Sequence, residues 1–226
     1  LMLIGQFFNQ VLPTSLGGDG VRAWLLSREN IPLRRALASV ICDRAVALVV
    51  LIVMVACTLP LAIGTGDAVI PFAWPLAIAI STITFISLFV TLNFGQTISK
   101  RLLVISILRP LGVVIRDLQL ALSSPQKGLQ IVGISIIVQA LLVLSVYFFA
   151  LALRIEFGLV HLLMLPVILL VSAMPISYAG WGVREGAMVA GLGIVGISAD
   201  DALGISVTFG LAQIVIGLPG LILAIK

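Results

Sequence analysis

The sequence predicts an all-α integral membrane protein, a polytopic helix bundle with two re-entrant helical hairpins in inverted-topology repeats. Three observations carry that prediction. Hydrophobic residues fill 61% of the 226 positions and charged residues only 10%, whereas a soluble domain uses about 25% charged residues to face water. Several apolar runs are long enough to cross a bilayer. One glycine-rich, charged motif occurs twice, each time beside an apolar run too short to cross.

Taken in chain order, Leu1 to Leu12 is apolar but short and runs into Pro13. The spans expected are Ala45 to Ile63, Val69 to Leu92, Gly128 to Leu153 and Ala202 to Ile225, none with a charged interior residue. Leu162 to Met174 and Gly186 to Val195 are again short, and they flank the second motif. Runs of about 10–14 residues suit re-entrant or broken helices rather than spans. The whole chain is expected to be one transmembrane domain, with repeats at 1–92 and 128–226 joined by a basic segment, 93–127. In that segment Arg109, Pro110 and Arg116 interrupt apolar residues at helical spacing, which reads as an amphipathic helix pair on the membrane face or as solvated helices against the bundle. The chain starts at Leu1 without a charged leader, so it is expected to be a piece of a longer membrane domain.

If the first hairpin returns to its own side, three spans separate it from the second, and an odd number of crossings puts the two on opposite sides. The loop charges give the same topology. Segments 27–36 and 93–127 hold eight Lys and Arg against two acids, while 64–68, 154–160 and 196–201 hold one against four. The first set is then cytoplasmic by the positive-inside rule, and the membrane expected is a prokaryotic cytoplasmic (inner) membrane. The net charge of +4 is spent on such loops and on contacts with anionic lipid, with no nucleic acid implied.

The twin motif aligns "PTSLGGDGVR" from Pro13 with "PISYAGWGVR" from Pro175, a shared P-x-S-x-x-G-x-G-V-R. Irregular backbone in lipid is tolerated only against protein or a wet cavity, which is also where a substrate is held. Gly18-Asp19-Gly20-Val21-Arg22 and Gly180-Trp181-Gly182-Val183-Arg184-Glu185 both read as helix starts. Free N–H groups, closely approachable glycine backbone and a first-turn arginine favour an anionic guest such as a lipid phosphate. Asp19 is placed to cap its helix, and Glu185 to pair with Arg22 or Arg184. The alternative is that acid and arginine simply neutralise each other while the glycines allow close packing. Discontinuous helices at inverted repeats favour a transporter's binding site.

Asp43-Arg44 stands just before the first full span, as a functional pair or as a marker of the interface. His161 is the only histidine and has no Cys, Asp or Glu at ligand spacing, so no metal site is expected. Gln130, Gln139 and Gln213 suit interhelical hydrogen bonds, and "SADDAL" from Ser198 suits a helix cap with first-turn acids. Cys42 and Cys57, fifteen residues apart on one helix, would be separated by roughly 22 Å, too far for a disulfide. No catalytic motif, phosphate-cradling loop or cofactor signature is found.

Together "FFNQVLPTSLGGDGVRAW", "ICDRAVAL" and "PISYAGWGVREGA" resemble the transmembrane domain of the lysylphosphatidylglycerol synthetase/flippase family (multiple peptide resistance factor) and its stand-alone flippase-like relatives. The resemblance covers nearly the whole chain. It implies that Asp19 and Arg22, Asp43 and Arg44, and Arg184 and Glu185 occupy the family's three charged motifs, and that helices precede the first. In the full-length family protein this domain moves an aminoacylated phospholipid to the outer leaflet, while a soluble domain charges the lipid from aminoacyl-tRNA. No such soluble domain lies in this sequence, so aminoacyl transfer is not expected of it.

The leading expectation is a lipid translocase for an anionic or aminoacylated phospholipid or a polyprenyl-phosphate-linked lipid. The headgroup would be bound by Pro13, Gly18, Asp19, Arg22, Asp43, Arg44, Gly180, Gly182, Arg184 and Glu185. The runner-up is a membrane-embedded transferase acting on a polyprenyl-phosphate or hopanoid lipid, with Asp43 or Glu185 as base. A scaffold for a separate lipid-modifying enzyme is the third. Besides the lipid, such an enzyme and a second copy of the chain are the partners it allows.

Overall fold

The computed structural model describes residues 1–12, 17–29, 31–64, 125–173 and 180–225, with isolated positions between 79 and 116. Among them are α1 (Met2–Val11), α2 (Gly17–Arg28), α3 (Leu33–Gly64), α4 (Pro125–Ala152), α5 (Leu159–Ser172), α6 (Val183–Ile194) and α7 (Ala199–Ile225), and no strand. Apart from those isolated positions, the expected span Val69 to Leu92 and the basic segment up to α4 lie outside the described residues, as do Pro13 and residues 174–179.

Among the described residues three helices are long and apolar enough to cross a membrane: Arg35–Ala62 of α3, Gly128–Ala152 of α4 and Ala199–Ala224 of α7. Their apolar side chains point outward as well as inward, with Ile134, Leu141, Phe148, Val215 and Ile222 all exposed. In water such faces would form an extended sticky patch, but against lipid tails they are the solvated surface. The chain is an integral membrane protein. Helix α7 starts where sequence chemistry dictates, because the Ser198 hydroxyl accepts the Asp201 N–H at 3.1 Å and donates to the Asp201 carboxylate at 2.7 Å.

The order short, short, long occurs twice, as α1-α2-α3 and α5-α6-α7. Within each trio the two short helices pack together and the second packs on the long one; between trios, α1 packs on α7 and α5 on α3. Each long helix thus supports the other trio's leading helix. Glycine permits close approach in these contacts, since a side chain at Gly220 of α7 would run into the Leu3 carbonyl of α1. Polar ties add direction. Gln10 of α1 donates to Gln213 of α7 at 3.2 Å, and Gln139 of α4 donates to the Ala47 carbonyl of α3 at 3.4 Å. Gln130, by contrast, is exposed.

The main core gathers Val146, Phe157, Leu165, Met188, Ile205 and Phe209 from α4 to α7 and their connections. At its end, His161 fastens the start of α5 to the end of α6: Nδ1 accepts the Gly158 N–H at 2.8 Å, which leaves Nε2 to donate to the Val195 carbonyl at 3.2 Å. A smaller core of Ala23, Ala36 and Val40 joins α2 to α3. Neither Cys42 nor Cys57, both on α3, is in a disulfide.

Candidate functional site

The first motif opens a helix, as its sequence suggests, but Asp19 stands inside that helix and not before it. Helix α2 already begins at Gly17, so Gly18 and Asp19 lie in its first turn and Arg22 one turn further. Asp19 therefore does not cap from outside. The capping contact comes from Asn9 of α1, whose Oδ1 accepts the Gly18 N–H at 2.9 Å. Asn9 was missed in the sequence reading, although an amide inside an apolar run next to a glycine turn was the available signal.

Asp19 turns instead into the bundle. Arg22 donates through Nη1 to Asp19 Oδ1 at 3.4 Å and through Nη2 to Asp43 Oδ2 at 3.2 Å. Arg44 donates through Nε to Asp19 Oδ2 at 2.6 Å. The four side chains form a line of alternating sign, Asp43–Arg22–Asp19–Arg44, with no net charge. Its middle is buried and its ends are open: side-chain exposure is 8% for Asp19 and 15% for Arg22, against 56% for Asp43 and 51% for Arg44. A charge taken from water is tolerated only when paired, and here buried Asp19 and largely covered Arg22 each have two partners of opposite sign. Gly5 of α1 makes room for the Arg22 stem; a Cβ there would stand 2.5 Å from Arg22 Cδ. Asp43 and Arg44 lie within the continuous α3, which begins at Leu33, ten residues before Asp43.

The second motif has the same skeleton and a different backbone. Gly180 and Gly182 have φ of +83° and +87°, the left-handed region that glycine enters without penalty, whereas Gly18 and Gly20 are helical. Helix α6 starts only at Val183, with Gly182 as its N-cap. The Glu185 carboxylate accepts the Gly182 N–H and so closes that helix end with its own side chain. Arg184 is buried, donating to Glu185 Oε1 through Nη2 at 2.9 Å and Nε at 3.2 Å. The Ser206 hydroxyl of α7 lies 3.3 Å from both Arg184 Nε and Glu185 Oε1. Trp181 and Phe209 wall the guanidinium at 4.8 and 5.8 Å from their ring centres. A side chain at Gly210 would collide with that guanidinium. Ser206, Phe209 and Gly210 were not singled out in the sequence, where nothing separates them from other small or aromatic residues of an apolar helix.

The structure thus gathers Asp19, Arg22, Asp43 and Arg44 into one cluster and Gly182, Arg184 and Glu185 into another. Among the described residues no ion pair joins the two, so Glu185 pairs with its neighbour Arg184 and not with Arg22. Counted from the helix starts, Asp19 and Glu185 both stand third, while Arg22 stands sixth and Arg184 second. Asp43 and Phe209 both stand eleventh in their long helices. Each touches the motif arginine of its trio, one by charge and the other by its ring.

Comparison with curated proteins and with solved structures returns no match. The model of the lysylphosphatidylglycerol synthase TM region matches residues 1–220. With that match over an apolar helical bundle that carries charged motifs on its short helices, the chain belongs to the lysylphosphatidylglycerol synthase transmembrane-region family.

Proposed function

We propose that the chain is the membrane part of a lipid translocase that passes an anionic or aminoacylated phospholipid, or a polyprenyl-phosphate-linked lipid, between leaflets. The observation that carries this reading is the four-member charge line Asp43–Arg22–Asp19–Arg44, assembled from two helices of a mostly apolar bundle. A neutral line of ion pairs costs little to keep at the membrane, and a headgroup phosphate can take the place of one carboxylate on an arginine. The family match supports a membrane lipid as the cargo.

In this reading the short pairs α1-α2 and α5-α6 are re-entrant hairpins that enter from opposite faces, and the crossed packing of α1 on α7 and α5 on α3 couples them. Rocking one trio against the other carries the headgroup across. The basic segment 93–127 faces the cytoplasm of a prokaryotic inner membrane, and a separate lipid-modifying enzyme supplies or consumes the cargo. A transferase would instead need Asp43 or Glu185 free to take a proton, and both carboxylates are held by arginine.

The test is transport by the full-length protein in liposomes containing labelled phosphatidylglycerol, aminoacylated lipid or polyprenyl phosphate. Leaflet exchange that falls with Arg22→Ala is expected. No movement of any of these lipids, or an Arg22→Ala protein as fast as wild type, would sink the reading.

A further inference from the structure

The charge line has two open ends, and they are not equivalent. Arg22 is largely covered, has its stem seated on Gly5 and spends both terminal nitrogens on carboxylates. Arg184 is enclosed by Glu185, Ser206, Trp181 and Phe209. Neither presents a free edge. Arg44 is half exposed and uses only Nε on Asp19; among the described residues its two terminal nitrogens have no partner. A guanidinium held by one edge and open on the other is pre-oriented for a second oxyanion, without the entropy of fixing a long side chain.

Depth gives a second, independent observation. The charge-free run that follows Arg44, Ala45 to Ile63, covers 19 residues of α3. At about 1.5 Å per residue it spans roughly 28 Å, close to the hydrocarbon thickness of a bilayer. A bilayer seated on that charge-free part of the longer apolar helix Arg35–Ala62 would leave Arg44 at its edge, level with lipid phosphates. The neighbouring α2 carries an exposed Trp24 with the Arg28 guanidinium 4.2 Å from its ring centre, a pairing suited to the same headgroup layer.

We propose that Arg44 is the residue that touches the phosphate of a membrane phospholipid, and that Asp19, Arg22 and Asp43 are positioning residues that aim it. The proposal rests on the reading of this site as a lipid-headgroup site. It places the phosphate contact on neither of the twin-motif arginines, Arg22 and Arg184.

The experiment measures binding, so that it is separate from transport. The full-length protein in mixed micelles is titrated with pyrene-labelled phosphatidylglycerol, read by energy transfer from tryptophan, with inorganic phosphate as competitor. Saturable binding is expected to weaken about tenfold in Arg44→Gln, through loss of a charge-assisted two-point contact. In Arg44→Lys it should weaken about threefold, since a lysine can keep the Asp19 pair but has no fork. Arg35→Gln removes an exposed charge of α3 outside the cluster and should stay within about twofold of wild type. The lysine variant decides the matter if the glutamine variant does not fold. Wild-type protein that fails to bind the lipid, Arg44 variants that bind like wild type, or an Arg35→Gln loss equal to that of Arg44→Gln would overturn the proposal. Inorganic phosphate competing at concentrations equal to the lipid would also overturn it, by marking a free-phosphate site. Binding as expected in a protein that moves no lipid would sink the translocase reading and leave Arg44's role standing.

Discussion

Arg44 of α3 donates through Nε to the carboxylate of Asp19 in α2 at 2.6 Å, the shortest ion pair of the first cluster. It links residues 25 positions apart in the chain and one half-exposed cation to one buried acid. Asp19→Asn should therefore destabilise the protein by about 2–4 kcal/mol, because it leaves the largely covered Arg22 with only Asp43. In a cycle with Arg44→Gln, a coupling energy of about 1–2 kcal/mol is expected from thermal or denaturant unfolding in detergent. Additive single effects would show that the pair is not formed.

The twin glycines should respond in opposite ways. Gly20 is helical and a Cβ there meets nothing within 4 Å, so Gly20→Ala should be neutral or stabilising by up to about 1 kcal/mol. Gly182 has φ +87°, and Gly182→Ala should cost about 1–3 kcal/mol in backbone strain. Unfolding midpoints of the two variants check this, and equal effects would contradict the different backbones of the two motifs.

Gly210 and Arg184 are matched in shape. Gly210→Ala places a methyl group against a guanidinium that Trp181, Phe209 and Glu185 hold from other sides. A loss of about 1–3 kcal/mol is expected from overpacking. The double variant with Arg184→Met, which lacks the rigid fork, should recover part of it; no recovery would place the clash elsewhere.

The amide pair Gln10–Gln213 joins α1 to α7. Gln213→Leu should lower stability by about 0.5–1.5 kcal/mol, in the range of interhelical hydrogen bonds within membranes. Gly220→Val, which drives a branched side chain into the Leu3 carbonyl of the same interface, should cost more. Unfolding of both variants in one detergent gives the order, and the reverse order would contradict the α1–α7 contact.

By itself the sequence determined the solvent, three long helices and which charged residues stand out in an apolar chain. Composition made the chain a membrane protein, and charge-free runs located α3, α4 and α7 to within a few residues at their C-terminal ends. At its N-terminal end α3 runs twelve residues beyond its apolar run, since nothing in "LRRALASVICDR" breaks a helix. The twin P-x-S-x-x-G-x-G-V-R pointed to both clusters. Hydropathy and glycine content are local properties, legible one residue after another.

Only the tertiary structure decided which acid meets which arginine and how each glycine is used. Asp19 finds Arg44 because α2 packs on α3, and Glu185 keeps Arg184 because Ser206 and Phe209 of α7 close over it. The same Gly-x-Gly is helical where Asn9 of α1 takes up the freed N–H, and left-handed where the following glutamate does so. A partner for a charge or a backbone donor is chosen by the helix faces that meet, and that choice depends on residues far away in the chain.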